Sequence, residues 1–270
     1  SGMSKWGKSF AGVLLGLVAM GCAAIYPEVS TPIGQPPSGS TLKPEPPDDY
    51  VHLYFKSARM PARTRDGRAW GKDKDSLPSP YAIVYIDGTE IWRTEVESNT
   101  LEPTWPNQKK ENYRVDAKTR LKVEIWDDHG LFPHPICQKE IKKITSYMDL
   151  GEVEVDSSGG ANFLLAIEPA HAMWGLGFYY ELRTTSVMIS RVIAASPAGW
   201  AGLKPGDYIV EIMGKPISQL DSGQVQSAIR VNAASGLTMK VRTGDSAPRQ
   251  VEIKEAAVYP LAEEKVRLAE

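Results

Sequence analysis

Residues 190–217 read SRVIAASPAGWAGLKPGDYIVEIMGKPI, and this run of small residues, turns and alternation decides the C-terminal half of the chain. Pro197, Ala198 and Ala201 are small enough to let a short helix lie against a strand. Gly206-Asp207 forms a tight turn into 208–212, whose apolar residues alternate as in a half-buried strand. Gly214-Lys215-Pro216 turns the chain again. Asp221 or Ser222 can cap a helix running to about Ala233, with Val225, Ala228, Ile229 and Val231 on its apolar side. Residues 237–242 and 250–253 then read as closing strands around a Gly244-Asp245 turn.

Just upstream stands Gly175-Leu176-Gly177-Phe178. GLGF, SPA, AGLKPGD and the strand after it come in one order and spacing, and over 174–253 they resemble a PDZ domain of the bacterial periplasmic-protease type. The resemblance implies a small barrel-like sheet with two helices, in which a peptide adds as a strand between the GLGF strand and the second helix. It implies that backbone N–H groups of Leu176, Gly177 and Phe178 form a nest for a terminal carboxylate and help shape the last-side-chain pocket. Tyr179 and Tyr180 would line the added strand. Gln224 falls where many members place a histidine that reads a ligand hydroxyl, while Ala228 and Val231 leave room for an apolar terminal residue. Two occupants of that groove stay open: a partner's C-terminus or extended strand, and the chain's own tail, 256–270.

Between 49 and 169 the pattern is alternation with turn signals. Val51, Leu53 and Phe55 share one face, 81–86 is β-rich and closed by Asp87-Gly88, and Leu121, Val123 and Ile125 stand two apart. Further strands are expected at 89–96, 113–115, 136–144, 150–155 and 162–167, giving an antiparallel sandwich of about eight strands. SARMPARTRDGRAW, PSPYAIVYIDG, NTLEPTW and RLKVEIWDD, in that order, resemble a C2 domain. That family cages calcium with carboxylates from two loops at one end. Asp66 and Asp127 hold two of those positions, but Ser79 and His129 stand where carboxylates belong. Calcium-independent work is therefore expected, and no cofactor. The loop from Lys56 to Lys74 carries seven Lys or Arg against two Asp, with Trp70 among them. It can face anionic headgroups, or be a solvated loop whose Trp caps the sandwich.

The start of the chain reads differently. Ser1-Gly2 is read as a tag remnant before Met3; Lys5 and Lys8 then precede a run of roughly eleven apolar residues, where a membrane span needs about twenty. Ala19-Met20-Gly21-Cys22 resembles the lipobox of bacterial lipoproteins, which implies an acylated Cys22 and a signal peptide over 1–22. Residues 23–48 hold seven prolines and read as a linker, reaching roughly 80 Å if drawn out as polyproline II at about 3.1 Å per residue. Ala23 after the cysteine resembles outer-membrane sorting, with the domains facing the periplasm.

The expected organisation is thus mostly β: signal 1–22, linker 23–48, C2-like sandwich 49–169, PDZ domain 170–256 and tail 257–270. A net charge of −2 gives no pull toward nucleic acid, and two cysteines support neither a disulfide scaffold nor a Cys-rich zinc site. No G-x-S-x-G elbow, P-loop or H-E-x-x-H occurs, and His52, His129, His134 and His171 lie in no nucleophile context, so no enzyme is expected. The function expected is a membrane-tethered envelope adaptor that captures protein termini or strands. A lipid-apposition module and a regulatory subunit of an envelope protease remain as alternatives.

Overall fold

The computed structural model describes residues 25–32, 45–106, 110–129, 132–150, 152–156, 160–183 and 186–264. Cys22 and the segment that resembles a lipobox lie outside them. Among the described residues no helix is long and apolar enough to cross a membrane. The first strand, β1 (Ile25–Pro32), falls inside the stretch expected to be linker and pairs with a strand far along the chain.

The sandwich is built from β2 (Tyr50–Arg59), β3 (Pro80–Ile86), β4 (Thr89–Arg93), β5 (Glu111–Arg114), β6 (Leu121–Asp127), β7 (His134–Ile141), β8 (Glu152–Asp156) and β9 (Asn162–Pro169). They form two four-stranded antiparallel sheets, ordered β5-β2-β9-β8 and β4-β3-β6-β7. Period-two alternation sends Leu121, Val123 and Ile125 inward from one sheet to meet Leu53, Phe55, Phe163 and Leu165 from the other. The Phe55 ring lies 5.2 Å from Trp105 and 5.3 Å from Phe163, and each such side chain fully buried stabilises by about 1.5–3 kcal/mol. Asp87 and Gly88 turn the β3–β4 hairpin with φ of 49° and 82°, as the Asp-Gly pair predicts. The strand expected over 136–144 stops at Ile141. Lys143 takes a φ of 56°, Ser146 donates back to its carbonyl through both N–H and hydroxyl, and a 3-10 helix over Ile144–Leu150 follows.

The second unit contains β10 (Met173–Leu182), β11 (Val187–Val192), α1 (Pro197–Trp200), β12 (Tyr208–Ile212), β13 (Lys215–Pro216), α2 (Ser222–Ala233), β14 (Leu237–Arg242), β15 (Arg249–Ile253) and β16 (Ala256–Val258). Its sheet runs β1-β10-β11-β12-β14-β15. The Gly206-Asp207 turn is pinned to β11: the Ile189 N–H donates to the Asp207 carbonyl and the Gly206 N–H to that of Ile189. The buried Asp207 carboxylate also accepts from the Thr243 hydroxyl at 2.6 Å. Val225 and Ile229 of α2 bury against Leu176, Phe178, Tyr180, Ile209 and Leu237.

Asn112 of β5 joins the units. Its Oδ1 accepts from the His171 N–H at 2.9 Å and lies 2.9 Å from His52 Nδ1. Its Nδ2 donates to the His171 carbonyl at 2.9 Å and to the Pro260 carbonyl at 3.0 Å. The His52 and His171 rings stack at 3.7 Å, and Tyr50, Ala195, Tyr259 and Leu261 form a small apolar cluster beside them. The stretch expected as the tail therefore begins within a sheet strand, and Tyr259 and Leu261 pack between the units. Asn112→Ala should leave two carbonyls and an N–H without this partner, each costing about 1–3 kcal/mol where water cannot replace it. Chemical denaturation should show a loss of at least about 2 kcal/mol; an unchanged midpoint would mean the joint contributes nothing.

Candidate functional site

Gly177 sits at the bend of β10 with a φ of 85°, and a Cβ there would collide with the Cβ and Oγ of Ser196. Two independent constraints thus demand glycine: left-handed backbone and no room. Ser196 is the N-cap of α1. Its hydroxyl donates to the Ile193 carbonyl at 2.6 Å and accepts from the Gly199 N–H at 3.1 Å. The Ile193 N–H in turn donates to the Gly177 carbonyl at 2.9 Å. A Cβ on Gly199 would strike the Ile193 and Ala194 carbonyls, so α1 packs directly on the chain that shapes the bend. The SPAG tetrapeptide builds the back of the GLGF loop. Sequence reasoning missed Ser196 as a site residue, although SPA was legible as a packing motif.

The site itself is an edge of β10. β1 runs antiparallel along it, with Ile25 opposite Glu181, Tyr26 opposite Tyr180, Pro27 opposite Tyr179, Val29 opposite Gly175 and Pro32 opposite Met173. The register breaks between Pro27 and Val29, so Leu176, Gly177 and Phe178 bulge out of the ladder there. β16 pairs with 173–175 as well, and must lie on the opposite side from β1. The tail through Val258 is therefore not what lies along this edge. Sequence reasoning missed β1 because prolines suggested an extended linker. The usable signal was that edge strands tolerate proline and that Val29-Ser30-Thr31 between two prolines is partly β-branched.

The expected groove residues divide. Tyr179 and Tyr180 do pair with the added strand through backbone. Their rings, however, are not offered to it: Tyr180 is in the main core and Tyr179 packs on Ile193 and Val258. Leu176 and Phe178 are likewise core side chains. On α2, Ala228 is half-buried on the core, whereas Val231 is 71% exposed. Gln224 is the third residue of α2, and its side chain accepts from the Asp221 N–H at 2.9 Å while its own N–H donates to Asp221. It closes a capping box, which explains a glutamine here without any ligand.

At one end of the sandwich a cleft of about 1480 Å³ is lined by the basic loop and by β6 and β7. Arg63, Arg65, Arg68, Lys72 and Lys74 line it together with Trp70 and Trp126, and Asp66 and Asp127 also face it. Asp66 accepts from the Thr64 hydroxyl and the Arg68 guanidinium, both at 2.6 Å, and these hold its carboxyl below the usual range. The buried Asp127 accepts from the Ser79 N–H at 2.7 Å and sits 3.2 Å from His129 Nδ1. The first-loop and second-loop positions therefore share one cleft, each carboxylate already satisfied by the chain. Among the described residues no three His, Cys, Asp or Glu side chains gather as metal ligands. Glu124 also lines the cleft. Burial pushes its carboxyl up, but hydrogen bonds from Lys122, Trp126 and Tyr85 outweigh burial and hold it below its ordinary value. Its contribution to stability is thus present above the ordinary glutamate range and lost as pH falls through the lowered folded value. Phe132, in the loop before β7, is 75% exposed.

A PDZ-domain model matches residues 188–243 and a C2-domain model residues 61–156. Among solved structures, a C2 domain is 15% identical, covering 44% of this chain and 97% of that one, at a TM-score of 0.32. The first C2 domain of a plant Extended Synaptotagmin 1 is 16% identical over 46% of this chain and 96% of that one, at 0.35. The paired C2 domains of Extended-Synaptotagmin 2 are 12% identical over 86% and 99%, at 0.39. No curated protein matches in sequence. The chain thus combines a C2-like β-sandwich with a PDZ domain, an assignment carried by the two family matches and the strand order.

The bend can be tested by a cycle. Gly177→Ala should destabilise the C-terminal unit by about 2–4 kcal/mol, from left-handed strain and overpacking together. Adding Ser196→Gly should recover the overpacking part only, giving a favourable coupling measured by denaturation. Simple additivity of the two changes would show that Ser196 does not set the limit.

Proposed function

We propose that this chain is a non-catalytic adaptor that takes extended protein segments by strand addition to β10, tethered in a bacterial envelope through an acylated Cys22. The observation that carries the reading is the β10 edge, along which an antiparallel strand is accommodated. Main-chain pairing supplies affinity there and the α2 wall with Ala228 and the exposed Val231 supplies preference for apolar residues. Because β1 runs through the loop instead of ending at it, capture of internal strands fits this edge as well as capture of C-termini. Residues of the SPA and AGLKPGD motifs build the scaffold and touch no ligand in this reading.

A second reading rests on the basic cleft of the sandwich. Five Lys or Arg and two tryptophans in one cleft suit a surface of anionic headgroups, with the aromatic side chains at the interface. The two readings are compatible, one for each domain.

Titration of the whole chain with a library of extended peptides should give binders of order micromolar, about −8 kcal/mol, that perturb residues 175–181 and α2. Amidating the terminus of a binder should weaken it where the loop amides hold a carboxylate and leave it unchanged where an internal strand is captured. A library with no binder in either form removes the strand-capture reading. Anionic vesicles should sediment the chain at low salt and release it near 0.5 M, where exposed charges are screened beyond roughly 4 Å; equal binding to neutral vesicles would contradict the basic cleft as the contact. Replacing Cys22→Ser should abolish fatty-acid incorporation in a bacterial host, and a Ser variant labelled like the parent would end the lipoprotein reading.

A further inference from the structure

We propose that residues 25–32 are the resident ligand of the PDZ edge, docked from the same chain, so that any partner strand binds only by displacing them. This rests on the reading of that edge as a strand receptor and names what regulates it.

Three observations converge. The register of β1 spans the whole usable edge, from Glu181 to Met173, and leaves no second place for a strand on that side. Its direction is the one in which a peptide terminus would arrive at the GLGF loop, running from the Leu182 end toward Gly175, yet the chain crosses the bulge at Glu28 and continues to Pro32. The opposite side of β10 is already taken by β16 and β11, so residues 256–258 do not compete. Without β1, β10 would show unpaired N–H and C=O groups at the margin of a sheet, which is an invitation to any extended chain.

The connection back to the sandwich is short. Only residues 33–49 separate the end of β1 from β2. A tether of this length holds its segment at an effective concentration of order millimolar. If the segment binds alone with a dissociation constant of about 10–100 μM, an incoming strand loses roughly 10- to 100-fold in apparent affinity. Prolines 27 and 32 are compatible with an edge strand that pairs on one side only, and they limit how tightly it pairs, which suits a ligand that must leave.

The test compares the full chain carrying Cys22→Ser with the same chain in which residues 25–32 are replaced by Gly and Ser at equal length. Amide hydrogen exchange at 175–181 should become at least about tenfold faster in the replaced chain, while β12 and β14 stay as protected as before. Added synthetic peptide IYPEVSTP should restore protection to the replaced chain and change the parent little. A partner peptide should bind the replaced chain at least about tenfold tighter than the parent. Should the replacement unfold the C-terminal unit, Val29→Pro, which removes one N–H from the strand, gives a milder version of the same comparison. Equal exchange at 175–181 in parent and variant overturns the proposal. Protection in the parent that falls on dilution overturns it too, because the occupant is then a second copy. A partner peptide bound at the edge with equal affinity by both chains leaves strand capture standing and removes only the resident ligand. A library that binds neither chain removes the receptor reading, and the exchange measurement still decides whether residues 25–32 dock.

Discussion

The bend of β10 at Gly177 is where the C-terminal unit is decided. Ser196 occupies the volume a side chain would need, and the same hydroxyl caps α1 and ties down Ile193. With that contact in place, Leu176, Phe178 and Tyr180 fall into the core under α2, and Tyr179 falls on the other face against Ile193 and Val258. The side chains of Leu176, Phe178, Tyr179 and Tyr180 are therefore spent on packing. What the strand has left to offer a ligand is backbone, and a backbone edge recognises an extended chain before it recognises any particular residue.

The joint at Asn112 has a different character. A neutral amide donates to the carbonyls of His171 and Pro260 and accepts from the His171 N–H, with His52 Nδ1 against the same oxygen, which satisfies backbone groups that have no ladder partners at the boundary. The apolar cluster around Tyr259 is small, so polar satisfaction carries much of the fit. The last described residues continue it: the Glu264 carboxylate accepts from the N–H groups of Ala194 and Leu261, and Arg191 donates to the Glu263 carbonyl.

Sequence reading recovered what depends on local periodicity and turn chemistry. Alternation at Leu121, Val123 and Ile125, the Asp87-Gly88 hairpin and the capped helix from Asp221 all stand where the pattern put them, and the two domain types followed from motif order. It failed where a residue's role depends on a distant neighbour. Gln224 is instead a local miss: a glutamine three residues after the cap Asp221 is the capping-box pattern, and its amide does bond back to Asp221. Tyr179 and Tyr180 looked like groove side chains because periodicity does not tell which face of a strand is already packed. Residues 25–32 looked like linker because their partner lies about 150 positions away, beyond any local signal. Ser79 and Asp127 did meet as the C2 pattern implied, through the Ser79 backbone.

The position of β1 also changes the mechanics of an anchor. Ile25 is three residues beyond Cys22, and a trans chain spans at most about 3.6 Å per residue, so an acyl group on Cys22 would hold the docked β10 edge within roughly 10 Å of its own point of attachment. The proline-rich stretch would then act as a short leash while β1 is docked and as a long arm once it is released. Exchange of one strand for another at β10 would move the whole molecule outward from the membrane surface, converting the presence of a partner into a change of reach.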